Sequence, residues 1–285
     1  MSAFLFKQVM VLVLGGGDLA SGAIYRLSRA GFPVVVTELA APLFVRRTVS
    51  YGNAVYENEF TVEGITAHLV DSSERALIVL QQGRIPVLID PDRASIQSLR
   101  PTVIVDARMA KVNLDTRLSD APLVIGLGPG FNAGTDCHAV IETNRGHNLG
   151  RVILQGSAEP DTGTPGSIEG KTDTRVLRAP VEGYVSARAA IGDSIAAGQI
   201  IAEVNGSPIT APFAGVLRGL IHHRVYVQVG MKIGDLDPRI QREACFTISD
   251  KSLAVGGGVV EAVLGAAHLR PLLLSAEPER AARPR

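Results

Sequence analysis

The sequence predicts an α/β protein: a parallel sheet domain in its first half, then a second, smaller β domain. Three observations predict it. The apolar run Val9 to Leu14 ends in Gly15-Gly-Gly-Asp-Leu-Ala20 and a stretch with helical spacing. Strand-like apolar runs then alternate with helix-compatible segments as far as Ile125, the pattern of a parallel sheet. From Ala179 onward the chain changes to short β-rich pieces that repeat.

The first element is a strand ending in G-x-G-x-x-A, followed by a helix from Ser21 to Ala30 with Ile24 and Leu27 at apolar spacing. Gly15, Gly16 and Gly17 permit a tight turn and close backbone approach, and the helix start offers unpaired N–H groups to an anion. A second strand, Pro33 to Thr37, delivers Glu38 roughly 20 residues beyond the glycines, where an acid accepts hydrogen bonds from a ribose. This order of elements is Rossmann-like, and NAD(P) is one ligand it accommodates. Arg46 and Arg47 are read either as phosphate-reaching groups or as a solvated charge pair. Asp18 is awkward beside a pyrophosphate unless its side chain turns back onto the helix.

Further strands are expected at Ile65 to Val70, Pro86 to Ile89, Thr102 to Val105 and Leu123 to Ile125, with a helix from Ser73 to Gln82. Asp90, Asp106 and the loop from Gly126 each follow one of these runs, so all belong to the carboxyl rim where such sheets bind ligands. That loop concentrates polar chemistry. Gly128 and Gly130 offer bare N–H groups, and Glu142, Arg145 and His147 follow as an acid, a planar phosphate-binding fork and a proton carrier. They are the candidate catalytic residues; the alternative is an ion pair that only braces the loop. Cys137 beside Asp136 is expected to be a core cysteine, because a neighbouring carboxylate raises a thiol's pKa.

Residues 1–155 are thus assigned to the sheet domain and 156–174 to a Gly/Pro-rich connector without regular structure. Thr162 and Gly163, in Thr162-Gly-Thr-Pro-Gly166, are placed there as ligand contacts on a lid over the rim. Residues 175–239 hold a near-repeat, Ala179-Pro-Val-Glu-Gly-Tyr-Val185 against Ala211-Pro-Phe-Ala-Gly-Val-Leu217. It resembles the barrel-sandwich fold of lipoyl and biotinyl carriers, but the hairpin Glu203-Val-Asn-Gly-Ser-Pro-Ile209 has no lysine to carry a cofactor. Lys232 is read as a solvated side chain. His222 and His223, adjacent in a β-like segment, are expected to face opposite ways and so not to share a metal; no metal site is assigned. Residues 240–285 are read as a helix, with Asp250 as its N-cap, and a charged tail.

Twenty-eight basic residues balance twenty-eight acidic ones, which predicts neither nucleic acid nor an anionic membrane as partner. The two cysteines lie far apart and form no disulfide or CxxC pattern, and no apolar run nears the roughly 20 residues of a membrane span. The Val9 to Leu14 run ends too soon in glycines for a secretory leader. A cytoplasmic setting is expected.

Taken together, the Gly15-Gly-Gly-Asp-Leu-Ala turn, Arg46-Arg-Thr-Val-Ser50, Gly128-Pro-Gly-Phe131, Ile141-Glu-Thr-Asn-Arg-Gly-His147, Thr162-Gly-Thr-Pro-Gly166 and Arg178-Ala-Pro180 resemble the selenium-dependent molybdenum hydroxylase system proteins, the YqeB-like family. The resemblance implies an accessory role in maturing molybdenum hydroxylases, with such an enzyme or its maturation machinery as partner. It implies the molybdenum cofactor, in a phosphorylated pterin or nucleotide form, as the rim ligand. An NAD(P)-dependent oxidoreductase and a non-catalytic interaction module are the other readings.

Overall fold

The computed structural model describes residues 4–161 and 173–274. Its first part runs β1 (Val11–Leu14), α1 (Asp18–Ala30), β2 (Val34–Glu38), α2 (Ala54–Glu57), β3 (Glu59–Val62), β4 (Ile65–Val70), α3 (Ser73–Gln81), β5 (Ile85–Ile89), α4 (Ser95–Leu99), β6 (Val103–Asp106) and β7 (Leu123–Leu127). Four short strands follow: β8 (Asn132–Ala133), β9 (Ala139–Ile141), β10 (Val152–Ile153) and β11 (Gly156–Ser157). Nine of these strands form one sheet in the order β10-β9-β7-β6-β1-β2-β5-β4-β3. All neighbours are parallel except the outermost pairs, β3 with β4 and β10 with β9.

The continuous apolar runs arise because both faces of the sheet are covered. Successive side chains alternate, so Val11, Val13, Val34, Val36, Val103 and Val105 join one core with Ala23, Ile24 and Leu27 of α1, while Leu12, Leu14, Val35 and Ile104 join another with Ala76, Val79 and Leu80 of α3. Between β6 and β9 the chain supplies no long crossover helix. That place is taken by α5 (Asp250–Gly265), which packs on α1, β7, β9 and β10. The helix expected as a separate C-terminal segment therefore belongs to the large sheet's core. Its N-cap is Ser249, whose hydroxyl accepts the Ser252 N–H, and not Asp250. A short α6 (Arg270–Leu274) follows.

Residues between β11 and α5 form β12 (Val176–Arg178), β13 (Gly183–Ala187), β14 (Ser194–Ile195), β15 (Ile200–Val204), β16 (Ser207–Thr210), β17 (Gly215–Leu220), β18 (Tyr226–Val227) and β19 (Lys232–Asp237). They make two four-stranded antiparallel sheets, β12-β19-β17-β14 and β16-β15-β13-β18, around one apolar core. The protein is therefore mixed α/β, with a large central sheet and smaller antiparallel sheets. The sequence repeat has a backbone counterpart. Ala179 donates to Met231 O and accepts from Gly230 N (2.9 and 2.8 Å), and Ala211 donates to Gln199 O and accepts from Gly198 N at the same two distances. Each Ala-Pro thus closes an equivalent turn. Between β15 and β16, Asn205 and Gly206 both have positive φ (45° and 80°), as a two-residue type I′ turn requires.

Two expectations need correction here. The connector contains regular structure, since β11 pairs with β8. His222 and His223 lie beyond the end of β17, so strand alternation does not separate them; their ring centroids are 4.1 Å apart, and buried His222 also stacks on Tyr56 at 3.7 Å. Lys232 is exposed to solvent, as expected, although desolvation lowers its pKa. Thr162, Gly163 and the rest of the Thr-Gly-Thr-Pro-Gly segment lie outside the described residues, as does the tail from 275.

Candidate functional site

The parallel strands β1, β2, β5 and β6 end on one rim, where the chain leaves β1 to one side through α1 and returns on the other side as β6. A cavity of about 730 Å³ opens there. This is the place in an open α/β sheet where neighbouring connections diverge and leave a crevice. Its walls are Leu14, Gly15 and the first turn of α1, then Thr37 to Leu39, Leu43 and Phe44, and opposite them Asp90, Arg93 and Ala107 to Ala110. Gly17 caps α1 without any side-chain hydrogen bond. The cavity thus meets an α-helix start whose first N–H groups lack intrahelical partners.

Glu38 stands at the end of β2 and binds the glycine turn directly. Its Oε1 accepts the Gly16 N–H at 2.7 Å and its Oε2 accepts the Leu39 N–H at 3.0 Å. Burial raises the pKa of this carboxyl and the two N–H donors oppose the rise. Gly16 itself is forced by packing within the chain, because a Cβ there would stand 2.7 Å from Gly52 N. Gly52 N also donates to Gly16 O at 2.9 Å. Phe44 lies over Gly17 and Gly52 and also lines the cavity, so the segment that packs on the turn contributes to the cavity wall.

Asp18 does not confront a ligand with a bare charge. Arg46 Nη1 donates to its Oδ2 at 2.8 Å and Ser252 Oγ to its Oδ1 at 2.9 Å. Arg46 is accordingly neither a phosphate arm nor a solvated pair. It is 6% exposed and its Nη2 reaches Ala244 O. Arg47 donates to Leu220 O of β17 at 2.8 Å, and burial lowers its pKa. Arg47 thus fastens the segment after β2 to the small sheets, and Arg46 fastens it to α1 and to the chain that leads into α5. Across the cavity, Asp90 caps α4 through the Ala94 and Ser95 N–H groups. Buried Asp106 accepts Arg108 Nε (3.0 Å), Arg108 Nη2 (2.6 Å) and Thr116 Oγ1 (2.6 Å). Arg108 also reaches Asp115, and Arg93 pairs with Asp115 and Asp120. These guanidiniums are committed to carboxylates, so the helix start is the cavity's main provision for an anion.

The second glycine loop is on the same edge but two strands along from β1, and its residues are not among those lining the cavity. Gly126 ends up inside β7. A Cβ on Gly126 would stand 2.9 Å from Phe131 Cβ, one on Gly130 2.6 Å from Val112 N, and one on Gly128 would overlap Thr143 Oγ1. Glu142 is 1% exposed and clamps backbone, accepting Asn144 N (2.6 Å) and Glu159 N (2.7 Å). Arg145 makes a two-pronged pair with Asp250 at 2.8 and 2.7 Å, which raises its pKa. His147 is exposed. Of the three candidate catalytic residues, Glu142 and Arg145 are thus engaged with separate partners. Cys137 is buried, and burial pushes its thiol up to about 11. Among the described residues no group of three or more His, Cys, Asp or Glu is arranged to hold a metal ion.

No protein-family model matches the chain. The chain is 47% identical over 259 residues to the Uncharacterized protein YqeB of Escherichia coli (strain K12), covering 91% of this chain and 48% of that one. The chain is YqeB-like. It spans about half the length of that curated relative. Among solved structures it is similar to the product-bound ectoine utilization protein EutE (DoeB) of Ruegeria pomeroyi, at 10% identity and TM-score 0.25, over 81% of this chain and 85% of that chain. An aspartoacylase family protein of Mesorhizobium loti gives 13% identity and TM-score 0.25, over 81% and 84%. At those scores neither likeness bears on the fold or the site.

Sequence reasoning missed the apolar cavity wall of this YqeB-like chain. Leu39, Leu43 and Phe44 follow β2 in a segment without periodicity, and Met109 and Leu114 follow β6 in another. The only signal was position: each follows the carboxyl end of a parallel strand that flanks β1. Among the described residues no single helix is long and apolar enough to cross a membrane.

Proposed function

We propose that the rim cavity binds a nucleotide-type small molecule, and that the protein acts as an accessory factor in maturing molybdenum hydroxylases. One observation carries the first part: Glu38 joins the glycine turn at the wall of a cavity bounded by the start of α1. In this reading the large sheet is Rossmann-like and the two small sheets form a barrel-sandwich domain. A ribose displaces or shares the Glu38 hydrogen bonds, a flat ring lies against Leu39, Leu43 and Phe44, and phosphate oxygens meet the α1 N–H groups. The site favours an unmodified ribose, because a 2′-phosphate would face the Glu38 carboxylate. The accessory role rests on the family likeness and makes a phosphorylated pterin or nucleotide form of the molybdenum cofactor the physiological ligand. Neither cysteine lines the cavity, so such a ligand is held by its organic part and not by thiolate bonds to the metal.

Thermal shift and calorimetry with NAD, NADP and the two forms of the molybdenum cofactor test this reading. At least one ligand should raise Tm in a saturable way, NAD should bind more tightly than NADP, and Glu38→Ala should weaken binding at least about tenfold, the loss of one charged hydrogen-bonding group. No shift with any of the four at millimolar concentration refutes ligand binding at the rim. NAD binding without cofactor binding moves the function to the oxidoreductase class.

A further inference from the structure

We propose, resting on the rim-cavity reading above, that the ligand is two-ended: a dinucleotide-type molecule with a planar group on each side of a phosphate bridge. Leu39, Leu43 and Phe44 serve one planar group, and Met109 and Leu114 on the opposite wall seat the other. The two walls flank the end of β1. Gly15 N donates to Thr37 O at 2.8 Å on the β2 side, and Ala107 N donates to Leu14 O at 2.9 Å on the β6 side. The glycine turn and the start of α1 lie between them, so a phosphate bridge at the α1 N–H groups leaves one end of the ligand over each wall.

The second wall suits a ring and not a phosphate. Leu114 is 58% exposed and Met109 half-buried, although both line the cavity, and apolar surface of this kind gains when a ligand covers it. Arg93 and Arg108 on the same wall pair with Asp106, Asp115 and Asp120. Three carboxylates against two guanidiniums repel a second phosphate and accept a neutral or cationic group. The backbone is strained there. Met109 has φ 57° and Arg93 φ 59°, a left-handed conformation that bulky side chains avoid. Met109 is kept in it from both sides. A Cβ on Gly15 would stand 3.2 Å from Arg108 Cα, and one on Gly130 2.6 Å from Val112 N, so the chain before and after Met109 packs against a glycine turn. A strap that only joined those two turns would be served at this position by glycine or asparagine, which tolerate the left-handed region. Strain of this kind gathers at ligand clamps, and here it holds a thioether on the cavity wall.

The test is calorimetry on the full chain with two pairs of probes: NAD against ADP, and the nucleotide form of the molybdenum cofactor against its phosphorylated pterin form. In each pair that binds, the two-ended member should bind at least about tenfold more tightly than the one-ended member. Leu114→Ser and Met109→Gly should each weaken the two-ended ligand about fivefold, the loss of one apolar contact, and leave the one-ended ligand within about twofold. Circular dichroism checks that both variants fold. Should Met109→Gly fail to fold, Leu114→Ser, at an exposed position, decides alone. Equal affinity for the two members of each pair overturns the inference and leaves the rim reading standing. So does a variant that folds yet weakens both members equally, or neither. No binding by any of the four probes overturns both.

Discussion

The contact between α1 and α5 makes the sharpest prediction about stability. Gly22 and Gly256 face each other across it. A methyl on Gly22 would stand 2.9 Å from Ser252 Cα and closer still to the Ser252 carbonyl, and one on Gly256 would stand 2.9 Å from Ala23 N and closer to the Gly22 carbonyl. Both obstacles are backbone, so neither can rotate away, and the helices must separate. Overpacking of this kind costs about 3 kcal/mol, the upper end of its usual range, when the neighbour cannot give. Alanine recovers about 1 kcal/mol of helix propensity. Gly22→Ala and Gly256→Ala should therefore each lose about 2 kcal/mol net, lowering Tm by about 4–8 °C at 2–4 °C per kcal/mol. Gly257 supplies the control: it is exposed on the same helix, and a Cβ there meets nothing within 4 Å. Gly257→Ala should gain about 1 kcal/mol. Urea titration followed by circular dichroism measures all three. If Gly22→Ala and Gly256→Ala stay within about 0.5 kcal/mol of wild type, or Gly257→Ala is as damaging as they are, the close helix contact is wrong.

Three further outcomes follow from buried or paired charges. His222 is buried and its pKa is lowered to about 4 by desolvation first and His223 second, from an ordinary 6.5. The unfolded chain therefore binds a proton below pH 6.5 that the folded chain refuses until about 4, and stability falls by up to roughly 3 kcal/mol across that window; His222→Phe should flatten this part of the pH–stability curve. Asp250 has its pKa lowered, chiefly by the Arg145 hydrogen bonds, so the pair contributes above the ordinary carboxylate range and fades as pH falls through the depressed value. The Tm difference between wild type and Arg145→Gln should shrink from pH 6 to pH 2, and a difference constant with pH would refute the pair's role. Arg46→Met strips Asp18 of its counter-ion and should cost about 3 kcal/mol, with Asp18→Asn in the same chain restoring part of it; a double variant no better than the single one would show that Arg46 matters only through its bonds to Ala244 and Thr247.

The large sheet was legible because its strands are short apolar runs bounded by turn residues, and that pattern is local. β4 spans Ile65–Val70 as expected and α3 begins at Ser73 as expected. Where the chain departs from regular β/α alternation, local pattern ran out. No helix sits between β7 and β9, and the one that covers them arrives more than a hundred residues later as α5. Three consecutive glycines in α5, Gly256 to Gly258, look like helix breakers in one dimension. Two of them, Gly256 and Gly258, are the points where the helix presses on Gly22 and on Gly150.

The site was less legible, for a reason visible in the residues chosen. Glu142, Arg145 and His147 drew notice by density of ionisable groups, but such density also arises when a loop must tie itself down. Glu142 does so by holding the N–H groups of Asn144 and Glu159, and Arg145 by holding Asp250. The cavity wall is mostly aliphatic and announces nothing in composition. The glycine turn is equally double-edged. Glycine lets backbone approach closely, and at Gly16 what approaches is the chain's own Gly52. The motif alone therefore does not distinguish a ligand's place from a packing contact. The proposed ligand site rests instead on Glu38, which holds backbone N–H groups as Glu142 does but also stands on the wall of an open cavity.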